Sequence, residues 1–105
     1  MTKEEALKGY SDFSDSMSKE EYLFKCVVPN KNGWSSDVAQ YVQKGKYVCE
    51  ICIGYFSGYI AAVTVVDTET MTHRHDLSCT IESAATWTSR EKALSDSIKY
   101  IEAKL

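Results

Sequence analysis

An α+β domain, with an antiparallel meander of three to four strands and a C-terminal amphipathic helix packed on one face, is the fold class that the sequence predicts. Three observations lead there. Tyr47, Cys49, Ile51, Ile53 and Tyr55 alternate with Val48, Glu50 and Cys52, the period of a strand with one strongly apolar face. Two short turn-forming stretches, Ser57-Gly58 and Asp67-Thr-Glu-Thr70, separate that segment from Tyr59–Val66 and then from a segment running from Met71 to about Ser83. Strands joined so briefly pair antiparallel. Leu94, Ile98, Ile101 and Leu105 then recur at spacings of four, three and four, an apolar stripe and the only sizeable helical face available to cover the meander.

The elements follow in chain order. Thr2 and Glu5 form a capping-box pattern, and Gly9 limits the helix it opens to about two turns, so residues 1–21 read as a short helix or arm ahead of a single domain over 22–105. Ser11 to Ser18 has loop composition, with only Phe13 and Met17 as apolar anchors. Tyr22, Phe24, Cys26 and Val28 alternate and Pro29 ends the run, which favours a strand; the capping pattern Ser18-Lys-Glu-Glu21 argues for a helix instead. Asn30-Lys-Asn-Gly33 is turn chemistry. Beyond it, Ser35 or Ser36 could cap a short helix carrying Val38, Tyr41 and Val42 and stopped by Gly45, or Trp34 to Val42 could return as a hairpin strand. The helix is the preferred reading. At the end of the chain Thr88 and Glu91 form a second capping box, opening the helix from Ser89 onward.

The chain has 105 residues, 44% hydrophobic and 11% aromatic, with a single proline. That is one small globular core, without the length for a second domain or the composition of a disordered segment. The formal charge of −3 fits neither a basic nucleic-acid coat nor a heavily acidic mimic of DNA. All of it falls on the first 21 residues, where Lys3, Lys8 and Lys19 face Glu4, Glu5, Asp12, Asp15, Glu20 and Glu21. Met1 to Tyr10 has no signal-peptide pattern, and the longest apolar stretch, Tyr59–Val66, falls far short of the roughly 20 residues of a membrane helix. The expectation is a soluble, cytoplasmic protein whose four cysteines are free thiols.

Several constellations invite a chemical reading. Cys49-Glu-Ile-Cys52, with His73, His75 and Cys79 downstream, has the ligand types of a zinc site. Residues three apart on a strand point to opposite faces, so Cys49 reads as core and Cys52 as the other face, and no metal or cofactor is expected. If one binds, Cys49, Cys52, His73 and His75 are its ligands. A redox role for the same pair requires a helix N-terminus to lower one thiol, and the context is mid-strand. Alternation places His73, His75 and Cys79 on one side of a strand, as a base and nucleophile would need, yet Leu77, Cys79 and Ile81 form a packing set. Glu50 and Glu82 read as solvated strand residues. Lys44, Lys46 and Arg74 with Tyr55 and Tyr59 are the candidate binding residues for a strand of bases stacked on a sheet, although Tyr47 and Tyr55 share the face of Ile51 and Ile53 and so read as core. Of Trp34 and Trp87, one is needed to fill so small a core.

The segment Trp87-Thr-Ser-Arg-Glu-Lys-Ala-Leu94, a strand end feeding a capped helix, together with Asn32-Gly-Trp34, resembles the layout of small accessory proteins of phages and conjugative elements. The resemblance covers about the last twenty residues plus one turn. It implies stoichiometric binding to a larger protein or nucleoprotein, as by anti-defence inhibitors, and assigns no functional residue. The reading is therefore a small non-enzymatic interaction module acting through a sheet edge or an aromatic-bearing surface. A single-strand nucleic-acid binder and a small zinc protein are the alternatives.

Overall fold

Six consecutive strand residues, Val48 to Ile53, are buried, so both faces of the sheet are covered and the chain supplies a helix to each. The computed structural model describes residues 2–29, 38–55, 57–82 and 87–105. Its centre is a hairpin of β2 (Tyr47–Tyr55) and β3 (Tyr59–Asp67), paired antiparallel without interruption from Tyr47↔Asp67 to Tyr55↔Tyr59. β1 (Val38–Lys44) pairs with the outer side of β2. Its turn, Gly45-Lys46, needs the positive φ of +59° that glycine adopts without strain. On the far side, β4 (Thr72–His73) and β5 (Cys79–Glu82) both pair with β3. The result is an antiparallel sheet with a C-terminal helix packed against it, as the sequence predicts.

That helix, α3 (Arg90–Lys104), lies over Cys49, Ile51, Ile53, Ala61, Val63 and Val65. Its deepest residues are Ala93, Ser97 and Ile101, while Leu94, Ile98 and Leu105 pack along one flank. The expected stripe is thus rotated toward small residues that let the helix sit close on the sheet. Ser97 tolerates burial because its hydroxyl donates to the Ala93 carbonyl at 2.7 Å. Trp87 fills the same core and its indole N–H donates to Asp96 Oδ2 at 2.9 Å, which ties the segment before α3 to the helix. The cap is Ser89, whose hydroxyl accepts the Lys92 N–H at 3.1 Å, rather than Thr88.

The opposite face corrects the sequence reading. Tyr22 to Val28 is not a strand: α2 (Lys19–Val27) is capped by Ser18 through the Glu21 N–H and braced by Lys25–Glu21 at 2.8 Å. The alternating pattern was overridden because Leu23, Phe24 and Val27 also recur at helical spacing, and Phe24 with Val27 and Val28 covers Val48 and Val66. The expected boundary between residues 21 and 22 falls inside this helix. Ahead of it, α1 (Lys3–Leu7), capped by Thr2, and the turn Tyr10–Asp12 pack on α2, with Tyr10 and Phe13 stacked on Tyr22 at centroid distances of 5.4 and 5.6 Å.

Two further expectations fall, and a third lies outside the described residues. Residues 38–44 form β1 instead of a helix, because alternate positions reach different cores: Ala39 and Val42 meet the α3 side and Tyr41 meets Phe24. The turn expected at Asn30–Gly33, and Trp34, lie outside the described residues. The segment from Met71 to Ser83 is two short strands. The ladder steps from Val66↔His73 to Val63↔Cys79, so three extra residues intervene, and an odd insertion flips the side-chain faces.

The cap assignment is testable by urea unfolding. Ser89→Ala is expected to cost about 1 kcal/mol, the ordinary loss for an N-cap hydroxyl, and Thr88→Ala a few tenths at most. Ile101→Ala, which empties the centre of the α3 contact, is expected to cost about 2–5 kcal/mol.

Candidate functional site

The sheet ends, edges and helix clefts divide the candidate residues into separate groups. At one end of the β2–β3 hairpin stand Lys46, Tyr47, Asp67 and Arg74, and Lys44 lies at the same end, opposite Tyr47 in the ladder. Asp67 is almost wholly buried. Its Oδ1 accepts the N–H groups of Glu69 and Thr70 at 2.9 and 3.3 Å, closing the turn after β3, and its Oδ2 meets Lys46 Nζ at 3.5 Å and Arg74 at 3.7 Å. Burial alone would raise this carboxyl, but the two N–H bonds and the Lys46 charge outweigh it and hold it below the ordinary value. Both cations also lie beside the Tyr47 ring, at 5.4 and 5.9 Å. Arg74 in addition grips Asp76 through two hydrogen bonds of 2.9 and 2.7 Å.

Tyr55 and Tyr59 are at the other end of the same hairpin, about 26 Å away at the rise of an extended strand. Their rings meet edge to face at 5.0 Å. Tyr55 is 66% exposed, contrary to the expectation of core, while Tyr59 opposite it packs against the α3-side core. Lys46 and Arg74 are thus brought together with Tyr47, while Tyr55 and Tyr59 are not part of that group. The cations there face acidic partners of their own chain, which weakens the field that a nucleic-acid strand would sense.

The cysteines and histidines do not converge. Cys49 packs in the core beneath α3, where burial and then the neighbouring Cys79 push its thiol up to about 12, the reverse of an activated nucleophile. Cys52 turns to the other side of the strand, its thiol 3.4 Å from Glu50 Oε1. Cys79 pairs with Val63 on the α3 side, whereas His73 pairs with Val66 of the opposite face. The three-residue insertion therefore separates the histidine from the thiol that unbroken alternation would have set beside it. Among the described residues, no group of three or more His, Cys, Asp or Glu side chains surrounds a common point. His73 meets His75 and Ser78 instead.

The sequence reading missed the cleft between α2 and β1. It has a volume of about 540 Å³ and is lined by Phe24, Val28, Val38, Ala39, Tyr41 and Glu50 among others. Glu50, expected in solvent, is only 4% exposed. Its Oε2 accepts the Tyr41 hydroxyl at 2.8 Å. Burial, then that hydrogen bond and the Glu50 charge all raise the Tyr41 hydroxyl above its ordinary value, so it stays a donor. The signal was available in principle: once Ser18-Lys-Glu-Glu21 is read as a helix start, the even-numbered face of β2 acquires a cover and Glu50 goes under it.

The two edges of the sheet differ. The far edge is broken into strands of two and four residues by the insertion and carries Arg74 and Asp76 beside it, devices that discourage pairing with another chain. Among the described residues β1 pairs only with β2. It is seven residues long, contains no proline and a single charge at Lys44, and bends only at the irregularity between Val38 and Gln40. Val38, 41% exposed, stands where this edge meets the cleft.

Comparison with protein-family models, curated proteins and solved structures finds no match. The segment Trp87–Leu94, which carried the sequence resemblance, has its structural account in the Trp87–Asp96 tie and the Ser89 cap. Among the described residues, no helix is long and apolar enough to cross a membrane.

The Asp67 environment predicts a pH dependence. A carboxyl held below its ordinary value of 3.8 contributes stability above that value and loses it as the pH falls through the lowered one. Asp67→Asn is expected to cost about 1–3 kcal/mol near neutrality, as for a buried group stripped of its charge-assisted bonds. It should also flatten acid unfolding monitored by tryptophan fluorescence below about pH 4.

Proposed function

We propose that this chain is a small binding protein that takes an extended segment of a larger protein or nucleoprotein onto the outer edge of β1, which no strand covers among the described residues. The observation that carries the reading is the contrast between the two edges: one is short, broken and charged, and the other is long, almost uncharged and adjoins a cleft that is apolar at Phe24, Val28, Val38 and Ala39 and polar at Glu21, Lys25, Gln40 and Glu50. Natural sheets guard their edges against association, so the regular stretch Gln40–Gln43, which carries no charge and adjoins a partly apolar groove, suits strand addition. In that mode, main-chain hydrogen bonds supply affinity and alternate side chains supply specificity. A segment pairing with Gln40 to Lys44 would place one side chain of each alternate pair toward Phe24, Val28 and Val38. The chemistry asked of the partner is therefore an extended, uncharged stretch with an apolar residue at the position facing the cleft.

An accessory or inhibitory role, of the kind that mobile elements encode, is a setting in which such stoichiometric binding would act. The single-strand nucleic-acid reading receives less support, because Lys46 and Arg74 are engaged by Asp67 and Asp76. A catalytic reading receives none from the thiol environments, with Cys49 raised and apart from the histidines.

The reading is tested by panning the full-length chain against displayed peptides of about strand length and titrating the selected peptides while amide resonances are followed by NMR. Shifts are expected to centre on Gln40–Lys44, Phe24 and Val28. Val38→Lys combined with Gln40→Lys, both at exposed edge positions, should weaken binding by about tenfold or more, or roughly 1.4 kcal/mol. Selected peptides that shift another surface, or that bind the double variant equally well, would remove β1 as the docking edge.

A further inference from the structure

On the α2 side of the sheet, Tyr41, Glu50 and Thr64 form one row across β1, β2 and β3. Residues directly opposite each other in an antiparallel ladder share a face, with Cβ atoms about 5 Å apart. A strand added outside β1 therefore extends the row by the residue that pairs with Tyr41. That residue stands at the cleft, which Tyr41 and Glu50 line together with Phe24, Val28 and Val38.

Two properties of the cleft narrow what that residue can be. Its apolar wall is partly aromatic, with the Phe24 and Tyr41 rings meeting edge to face at a centroid distance of 5.6 Å. A volume of about 540 Å³ also exceeds what one aliphatic side chain fills, so a large flat side chain gains the most buried area there. The polar wall beside Tyr41 offers acceptors. Tyr41 gives its hydroxyl hydrogen to Glu50 Oε2 at 2.8 Å, and burial, that bond and the Glu50 charge keep the hydrogen in place. The hydroxyl oxygen therefore meets a visitor as an acceptor. Lys25, the cation of the cleft, is held by Glu21 at 2.8 Å. A visiting carboxylate would set its charge against Glu50, acceptor against acceptor.

We propose that the cleft selects an aromatic side chain carrying a hydrogen-bond donor, tryptophan first and tyrosine second, at the partner position paired with Tyr41, and that the indole N–H donates to the Tyr41 hydroxyl oxygen. The inference rests on strand addition at β1 and specifies the partner's anchor residue. Indole suits the site because it joins the largest apolar area of any side chain to a group that only donates. The chain makes the same kind of contact on its other face, where the Trp87 indole N–H reaches Asp96 Oδ2 at 2.9 Å. Tyr41 is thus a specificity-determining residue, its ring supplying contact area and its oxygen choosing a donor.

The test uses the full-length chain and the strand-length peptides selected on it. The peptide position opposite Tyr41 is located from cross-strand contacts between backbone hydrogens, then varied among tryptophan, its benzothienyl analogue, leucine and glutamate. The analogue keeps the shape of the indole and lacks the N–H. Tryptophan is expected to bind most tightly, the analogue about threefold to tenfold more weakly, the range of one net hydrogen bond, leucine more weakly again, and glutamate least. In the complex the indole N–H resonance should show cross-relaxation with the ring hydrogens of Tyr41 and Phe24. Peptides that dock on β1 yet bind as well with the analogue, leucine or glutamate as with tryptophan, or whose indole N–H contacts another surface, would overturn the inference and leave strand addition standing. Peptides that shift no residue of β1 would overturn strand addition itself, and the anchor with it.

Discussion

The burial of the β2–β3 hairpin on both faces is the constraint from which the other features descend. A half-exposed hairpin needs one cover and can place its polar residues on the other side. Here Val48 and Cys49, Glu50 and Ile51, Cys52 and Ile53 are all inside, so neither face can be left to water. The chain answers with α2 on the even-numbered face and α3 on the odd-numbered one. Each helix owes its position to a short polar cap, Ser18 or Ser89, and its stability to the apolar residues it lays against the strands.

This constraint also explains where the polar side chains had to go. Glu50 on a covered face cannot be a solvated residue, and the Tyr41 hydroxyl and Cys52 thiol turned toward it are the local response. An unmet carboxylate there would cost several kcal/mol. Asp67 meets the same requirement at the hairpin end with two turn N–H groups and two cations. The basic residues that sequence reading collects as a candidate nucleic-acid surface are in this way drawn into the neutralisation of a buried acid. Lys46 and Arg74 thereby also secure the hairpin end.

The fold was legible wherever one periodicity stood alone. The alternation of β2, the short turns and the stripe of α3 each admit one reading, and the meander with its terminal helix follows from them. Legibility failed where two periods coexist. Tyr22 to Val28 satisfies both a strand and a helix, and Val38, Tyr41 and Val42 do the same in reverse; only the neighbours on the sheet decide between them, and those are long-range contacts. The candidate site was less legible for the same reason. With α2 read as a strand, the cleft beside β1 had no second wall and Glu50 had no cover. The faces of His73 and Cys79 depend on a three-residue insertion that local composition does not announce.

A protein of this size that binds through an edge strand must keep that strand in place when its partner is absent, since ordering it at the moment of contact would subtract from affinity. β1 meets this condition through its own side chains: Ala39 and Val42 are anchored on the α3 side and Tyr41 on the α2 side, against Phe24. Both faces of the strand are thus fixed by packing while its outer backbone has no strand beside it among the described residues. The opposite edge lays Leu77, Cys79 and Ile81 on the α3-side core and, where its ladder is interrupted, adds hydrogen bonds around Ser78 and Arg74. Both edges thus rest on the same two-sided core, and they differ in the length and regularity of the strand each presents.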